Sequence, residues 1–509
     1  MKLIVIFHFQ EKDWDFNLNE LKNNPSDLFV LFTSKTAYCK HLHKHKDFFD
    51  KIIQFDVAGG ADLPSTKVAN KLFEIQFYTL GKLLQETITH FSITDKKSIW
   101  LLTVDESVML LVSKLRDHFD LPGEGSRQLE RFLNKKVMKD FIAKKSIRYT
   151  PYIMFSPANY ISNPYQYLNY LKENLGELPY FAKPINSAAS KGTRRIDSAD
   201  ELSLWCDTHL NYENYEIDKY IDGRLFSCNS IIQNDQVVDM QICESTPNYQ
   251  FTANNIILTT LLPATVEHYD LLKDTGMQIL DALKPLPNGL THLEVLLENG
   301  SNKVFFLEIA ARPPGGGIAE FYVDNFATSS QKIHYQCQLG VCENNFPMKR
   351  TNPNHLSYAL VPYQHGKVIN IHHPKLSSSL NIICNIQIGE IMQKQTHQFN
   401  KVAIEYKFEH SDYEVIKMDG DYLNKFKTYQ IESQLPAISW HMNLKNICFK
   451  NNFIKKILQS LSLGKISLIK IILKNIVGYK IARKFFIIDS KNPSKNTALR
   501  YAKTQKKRG

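Results

Sequence analysis

The stretch "THLEVLLENGSNKVFFLEIAARPPGGG" (Thr291–Gly317) decides how the rest of the chain is read. Two apolar runs flank the turn pair Asn299-Gly300, so the segment reads as an antiparallel hairpin. Side chains alternate faces along a strand. His292 and Glu294 therefore share one face of the first strand, and Leu293, Val295 and Leu297 take the other. On the second strand Glu308, Ala310 and Arg312 share a face, opposite Phe305, Leu307 and Ile309. A plain core strand would carry no carboxylate. An odd-length loop such as Gly300–Asn302 sets Glu294 opposite Glu308. A four-residue loop separates them unless a β-bulge restores the match. Opposed, half-buried carboxylates repel and need a cation. Oxygen ligands alone suit Mg2+, completed by water and substrate phosphates. Arg312 adds a bidentate donor for phosphate or carboxylate, and "PPGGG" lets the backbone approach a ligand closely. The competing reading is a solvent-facing hairpin with ordinary surface acids.

The 509 residues allow two to four domains, and 43% hydrophobic content indicates a well-cored globular protein. Eight scattered cysteines without a C-x-x-C pair argue against a zinc ribbon or disulfide framework and suit a reducing cytoplasm. "MKLIVIFHFQEKDWD" is too short in its apolar run for a signal peptide and reads as a first buried strand. The net charge of +11 is unevenly placed: residues 441–509 hold 17 Lys and Arg against one acid, Asp489, which leaves the body mildly acidic.

Residues 1–125 alternate strand-like runs ("KLIVIFHF", "DLFVLFT", "KIIQFDV", "KSIWLLTVD") with helical spacing ("STKVANKLFEIQFYTLGKLLQETITHF", "ESVMLLVSKLRDHF"). That alternation indicates a parallel α/β sheet with ligands near the carboxyl ends of its strands. Asp105 and Glu106 sit at such an end, where a helix N-terminus also favours acids. Farther on, "YEIDKYIDGRLFSCNSIIQNDQVVDMQIC" reads as a hairpin-rich sheet with turns at Asp222-Gly223 and Gln233–Asp235. "ATSSQKIHYQCQLG" reads as a helix, and residues 355–430 as strand-rich. "CKHLHKH" (Cys39–His45) would put three histidines on one face if extended; a solvated loop is the better expectation over a metal site.

Four segments, in order, resemble the ATP-grasp superfamily from roughly Asp105 to Phe326. "LNKKVMKDFIAKKSIRYTP" is similar to its opening lysine turn, which implies Lys135 as a phosphate contact; Asn134 stands where members usually have Asp. "LPYFAKPINSAASKG" resembles the strand whose lysine grips phosphate, here Lys183. A small-residue loop follows that closes over the triphosphate (Asn186, Ser187, Ser190, Gly192). "YEIDKYIDG" looks like the adenine linker, implicating Asp218, Lys219 and Ile221. The hairpin resembles the metal strands, which implies Glu294 and Glu308 as metal ligands and Arg312 as a catalytic contact beside Lys183. Ala310 stands where many members carry Asn, and Leu225 where Glu often holds the ribose.

The resemblance implies an α/β and α+β architecture with an N-terminal Rossmann-like domain (1–125) and an ATP-grasp domain (126–435), while the Lys, Ile and Leu pattern of residues 436–509 reads as a basic, amphipathic helical tail. The resemblance also implies an ATP-dependent carboxylate–amine ligase that forms an amide through an acylphosphate, with ATP, Mg2+ or Mn2+, and small carboxylate and amine substrates. Two readings compete with it: another acceptor (bicarbonate, a thiol or a protein side chain), and a nucleotide-binding protein that does not turn over. The protein is expected in the cytoplasm, with a homodimer as an open expectation. Residues 441–509 leave three readings: peripheral docking on an anionic membrane surface, binding to an acidic partner or nucleic acid, or a helical cap with a solvated lysine face. Few aromatics interleave these basic residues, which counts against nucleic acid.

Overall fold

The parallel sheet of the N-terminal part comes from four short apolar runs: β1 (Leu3–Phe7), β2 (Leu28–Thr33), β3 (Lys51–Gln54) and β4 (Ile99–Thr103), in the order β3-β2-β1-β4. Every residue of β1 is buried, because helices cover both faces. Leu3, Val5 and Phe7 pack against helices Thr66–His90 and Glu106–Phe119, while Ile4 and Ile6 face Trp14, Leu18 and Tyr335. The computed structural model describes residues 1–56, 66–187, 190–252, 255–342, 346–392 and 402–432. The expectations for the tail, 436–509, lie outside the described residues. Among the described residues no helix is long and apolar enough to cross a membrane.

A second, antiparallel sheet holds β5 (Tyr152–Met154), β6 (Tyr180–Pro184), β7 (Arg194–Ile196) and β8 (Tyr215–Lys219), ordered β5-β8-β6-β7. Tyr180, Ala182, Tyr215 and Ile217 pack on helices Pro164–Leu175 and Ala199–Thr208. Alternation therefore turns Phe181, Lys183, Glu216 and Asp218 to the opposite face. The third sheet runs β13-β12-β9-β10-β11-β14-β18-β16, built from β9 (Gly223–Gln233), β10 (Gln236–Ser245), β11 (Ile257–Leu261), β12 (Gly289–Glu298), β13 (Val304–Ala310), β14 (His355–Pro362), β16 (Ser379–Cys384) and β18 (Val402–His410). Its core face buries Phe226, Cys228, Leu293 and Val295 with helix Tyr269–Ala282. A small sheet of β15 (Gly366–Ile371), β17 (Ile391–Met392) and β19 (Tyr429–Glu432) completes the strand-rich end.

Two local expectations are revised, and one stretch not assigned from the sequence is a helix. Asp222-Gly223 is not a hairpin turn: it carries the chain from β8 in one sheet to β9 in another. A Cβ on Gly223 would lie 2.5 Å from the Leu297 carbonyl oxygen, so the crossing needs glycine. The run after "PPGG" is a helix, Gly317–Phe326, entered through Gly316 at φ +59°. A side chain at Gly317 would collide with Tyr358. The histidines of Cys39–His45 lie on helical turns (Tyr38–Leu42, His43–Phe48) rather than one extended face, and His45 Nε2 lies 2.8 Å from Asp13 Oδ1.

His334, 1% exposed on helix Ser330–Gln338, ties β12 to β4. The Leu290 N–H donates to its Nδ1 (2.8 Å), and its Nε2 faces the Thr103 carbonyl (3.3 Å). A neutral ring with the proton on Nε2 satisfies both; burial pushes its pKa down to about 3. The unfolded ring takes up a proton first, near its ordinary 6.5. Stability contributed by this ring is therefore complete above about pH 6.5 and lost as pH falls toward about 3. The expected slope is up to about 1.4 kcal/mol per pH unit in that window. Urea denaturation at several pH values checks it: His334→Gln should flatten the slope, and equal slopes would refute the assignment.

Candidate functional site

The hairpin of β12 and β13 turns through four residues, Asn299–Asn302, with the Glu298 N–H donating to the Lys303 carbonyl (3.0 Å). An even loop would oppose Glu294 to Leu307. A β-bulge corrects this: Val295 pairs with Phe306, then Glu294 with Glu308. The core phase of β13 shifts with it. Val304 and Phe306 are core residues before the bulge, Ile309 and Ala311 after it. Phe305 and Leu307 thus do not take the core face expected from strict alternation, and Leu307 lines a cavity beside Glu308.

That cavity, about 320 Å³, lies between the second and third sheets. On its third-sheet wall stand His292, Glu294 and Leu296 from β12, Leu225 and Ser227 from β9, and Glu308. Lys135 opens helix Lys135–Ala143, whose first turn is capped by Asn134. Its Nζ lies 2.9 Å from Glu308 Oε2 and donates to the Ser187 carbonyl (2.8 Å). Burial would raise the Glu308 pKa, but Lys135 and Lys183 outweigh it and hold the carboxyl at about 2. Glu294, 8% exposed, has His292 Nε2 at 3.4 Å and accepts a long hydrogen bond from Asn248 Nδ2 (3.5 Å). Asn229 Nδ2 donates to Ser227 Oγ, so Asn229 Oδ1 is the atom 2.7 Å from His292 Nδ1. That places the proton on Nδ1 and turns Nε2 to Glu294.

Lys183 on β6 stands opposite Glu216 on β8. Its Nζ is 2.8 Å from Asp218 Oδ2 and 3.4 Å from Glu216 Oε1. Burial lowers the lysine's pKa, but Asp218, Glu216 and Glu308 more than restore it, and the group stays charged. Burial likewise favours a neutral Asp218, yet Lys139 and Lys183 draw its pKa below the ordinary value. Arg312 projects into the cavity with Nε donating to Glu106 Oε2 (2.6 Å) at the start of helix Glu106–Phe119. Glu106 is therefore more than a helix-end acid, while Asp105 caps that helix by accepting from the Ser107 N–H.

Ser187, Ser190, Lys219 and Ile221 also line the cavity, and Asp218 reaches it from among the lysines. Asn186 and Gly192 belong to the same loop but are not among the lining residues; Ala188 and Ala189 lie outside the described residues. Phe181, Ile221, Leu225, Tyr220 and Tyr249 add apolar and aromatic surface to the lining. Gly315, Gly316 and Gly317 bring backbone to the wall near Arg312.

The family profile described as "D-ala D-ala ligase C-terminus" matches residues 141–326. No curated protein sequence matches the chain. Among solved structures, the chain is similar to an L-amino acid ligase from Bacillus licheniformis (12% identity, TM-score 0.56, 85% of this chain and 99% of that one). It is similar to a carboxyaminoimidazole ribonucleotide synthase from Aspergillus clavatus complexed with ATP (11%, 0.53, 84% and 99%). It is also similar to an N5-carboxyaminoimidazole synthetase from Staphylococcus aureus complexed with ADP (13%, 0.52, 83% and 97%). The chain has the ATP-grasp fold. At these identities the likeness concerns the fold.

The donor set of this cavity is compatible with a triphosphate and a divalent cation. Lys135 and Lys183 could meet phosphate with their ammonium groups, and Glu294 and Glu308 could supply carboxylate oxygens to Mg2+ or Mn2+. Among the described residues no group of three or more His, Cys, Asp or Glu is arranged to hold a metal. Two carboxylates with water and phosphate oxygens match the usual Mg2+ environment. Sequence reasoning passed over Lys139, Glu216 and Thr150, which surround Asp218. The signal was present: Lys139 follows Lys135 by one helical turn, and Glu216 shares a strand face with Asp218.

Proposed function

We propose that this ATP-grasp protein is a carboxylate–amine ligase that joins small substrates, such as amino acids, through an acylphosphate. The observation that carries the proposal is the opposed pair Glu294 and Glu308 in one cavity with Lys135, Lys183 and Arg312. Lys135 and Lys183 would hold the phosphates and neutralise charge on the transferring group. Glu294 and Glu308 would hold a divalent cation, which would supply further charge neutralisation at the phosphate oxygens. Ile221, Lys219 and Tyr220 would border the base, and Ser187 and Ser190 the loop that keeps water out. A substrate carboxylate oxygen attacks the γ-phosphorus as the bond to ADP breaks. Arg312, steadied by Glu106, would hold the acylphosphate. The amine then attacks the acyl carbon, phosphate leaves, and the nitrogen gives up a proton. No enzyme nucleophile is needed.

The test is an ADP-release screen with Mg2+ over amino acids and small carboxylates, alone and in pairs, with mass spectrometry of the products. Hydroxylamine should trap the acylphosphate as a hydroxamate when the carboxylate is present alone. ADP release that no substrate stimulates would sink the ligase reading. A product mass showing addition to bicarbonate or a thiol would move the acceptor.

A further inference from the structure

One buried cation beside the cavity is not among its lining residues. Lys139 is 1% exposed, on the helix that Lys135 opens. Its Nζ lies 3.0 Å from Asp218 Oδ1 and 3.1 Å from Glu216 Oε1, and the ammonium sits 4.1 Å from the centre of the Tyr152 ring. Lys183 meets the same two carboxylates at 2.8 and 3.4 Å. Two ammonium groups thus balance two carboxylates. Glu216 is fully buried, and among the described residues its Oε2 has no hydrogen-bond partner. The two lysines are its ion-pair partners.

We propose that Lys139 is a positioning residue for Lys183. It neutralises one of the two carboxylate charges, so that the other lysine keeps an ammonium available to an incoming phosphate. Without Lys139, Lys183 alone would face both carboxylates. The remaining negative charge, far from water, would hold that ammonium in place and repel phosphate. The inference rests on the reading of this cavity as the nucleotide site. A lysine with only a structural role would change stability and leave nucleotide affinity alone. The charge count separates the two, because Glu216→Gln restores the balance that Lys139→Met upsets.

The experiment is calorimetric titration of ADP in the presence of Mg2+ into the wild type, K139M, E216Q and K139M/E216Q, each also followed by thermal melting. K139M is expected to weaken ADP binding by about tenfold or more. K139M/E216Q should return to within about threefold of the wild type. E216Q alone should bind at least as tightly as the wild type, because the cluster then gains a net positive charge. A wild type that does not bind ADP would remove the nucleotide reading itself. A wild type that binds, with K139M binding equally well, would overturn the role of Lys139 alone. Where K139M does not fold, the other two variants decide. Weak binding by E216Q or by the double variant overturns the proposal, and recovery in both supports it.

Discussion

Glu308→Gln is expected to lower substrate-stimulated ADP release by about a hundredfold or more, the range typical of losing one preorganised electrostatic contact. Glu308 faces Glu294 across the hairpin and holds a carboxyl whose pKa is about 2, so it is charged at any working pH. The amide keeps the shape and loses the charge that a divalent cation needs. It also frees Lys135, whose Nζ now lies 2.9 Å from the Glu308 carboxylate. Two readouts are therefore expected to separate. Turnover should collapse, while ADP affinity measured without divalent cation should rise, because Lys135 no longer has a competing partner. Turnover within tenfold of the wild type would end the metal assignment at Glu308. Unchanged metal-free affinity would show that the Lys135 pair does not restrain phosphate.

Lys183→Met is expected to fail twice, in chemistry and in stability. The lysine is 3% exposed and shares Asp218 and Glu216 with Lys139. Removing one cation of a buried cluster leaves an uncompensated carboxylate, a loss of ~3–5 kcal/mol in comparable sites. Urea denaturation should show a lower midpoint at unchanged slope. Lys183→Met with Asp218→Asn should recover much of that stability, since the pair of changes removes one charge of each sign. Turnover should stay lost in the double variant, because the proposed phosphate contact is gone. Recovery of both together would make Lys183 a structural residue only.

Much of this site is legible in local patterns. Period-two alternation puts Glu294 and His292 on one face, and Glu216 and Asp218 on another, wherever the strands end up. The small-residue loop after Lys183 and the glycines after Arg312 mark backbone that can approach a ligand. Other features were not legible from single segments. The helix Gly317–Phe326 begins inside what reads as a glycine-rich loop, since its entry through Gly316 and its contact with Tyr358 involve a strand far downstream. Asp222-Gly223 has the composition of a hairpin turn, yet the Leu297 carbonyl beside Gly223 belongs to a strand of another sheet. Glu106 looks like a helix-end acid until Arg312 reaches it from the hairpin.

The sequence by itself determined which residue types could do the chemistry, and on which face of its own strand or helix most of them lie. Those properties depend on neighbours a few residues apart, where backbone geometry leaves little choice. Tertiary structure decided the pairings. Whether Glu308 meets Glu294 turned on a four-residue loop and one bulge that shifts the rest of β13 by a residue. Whether Lys135 faces Glu308, and Lys139 faces Asp218, turned on how helix Lys135–Ala143 seats between the second and third sheets. Charges come together across such distances only when burial of the surrounding apolar faces brings their elements into contact, and no local pattern encodes that outcome.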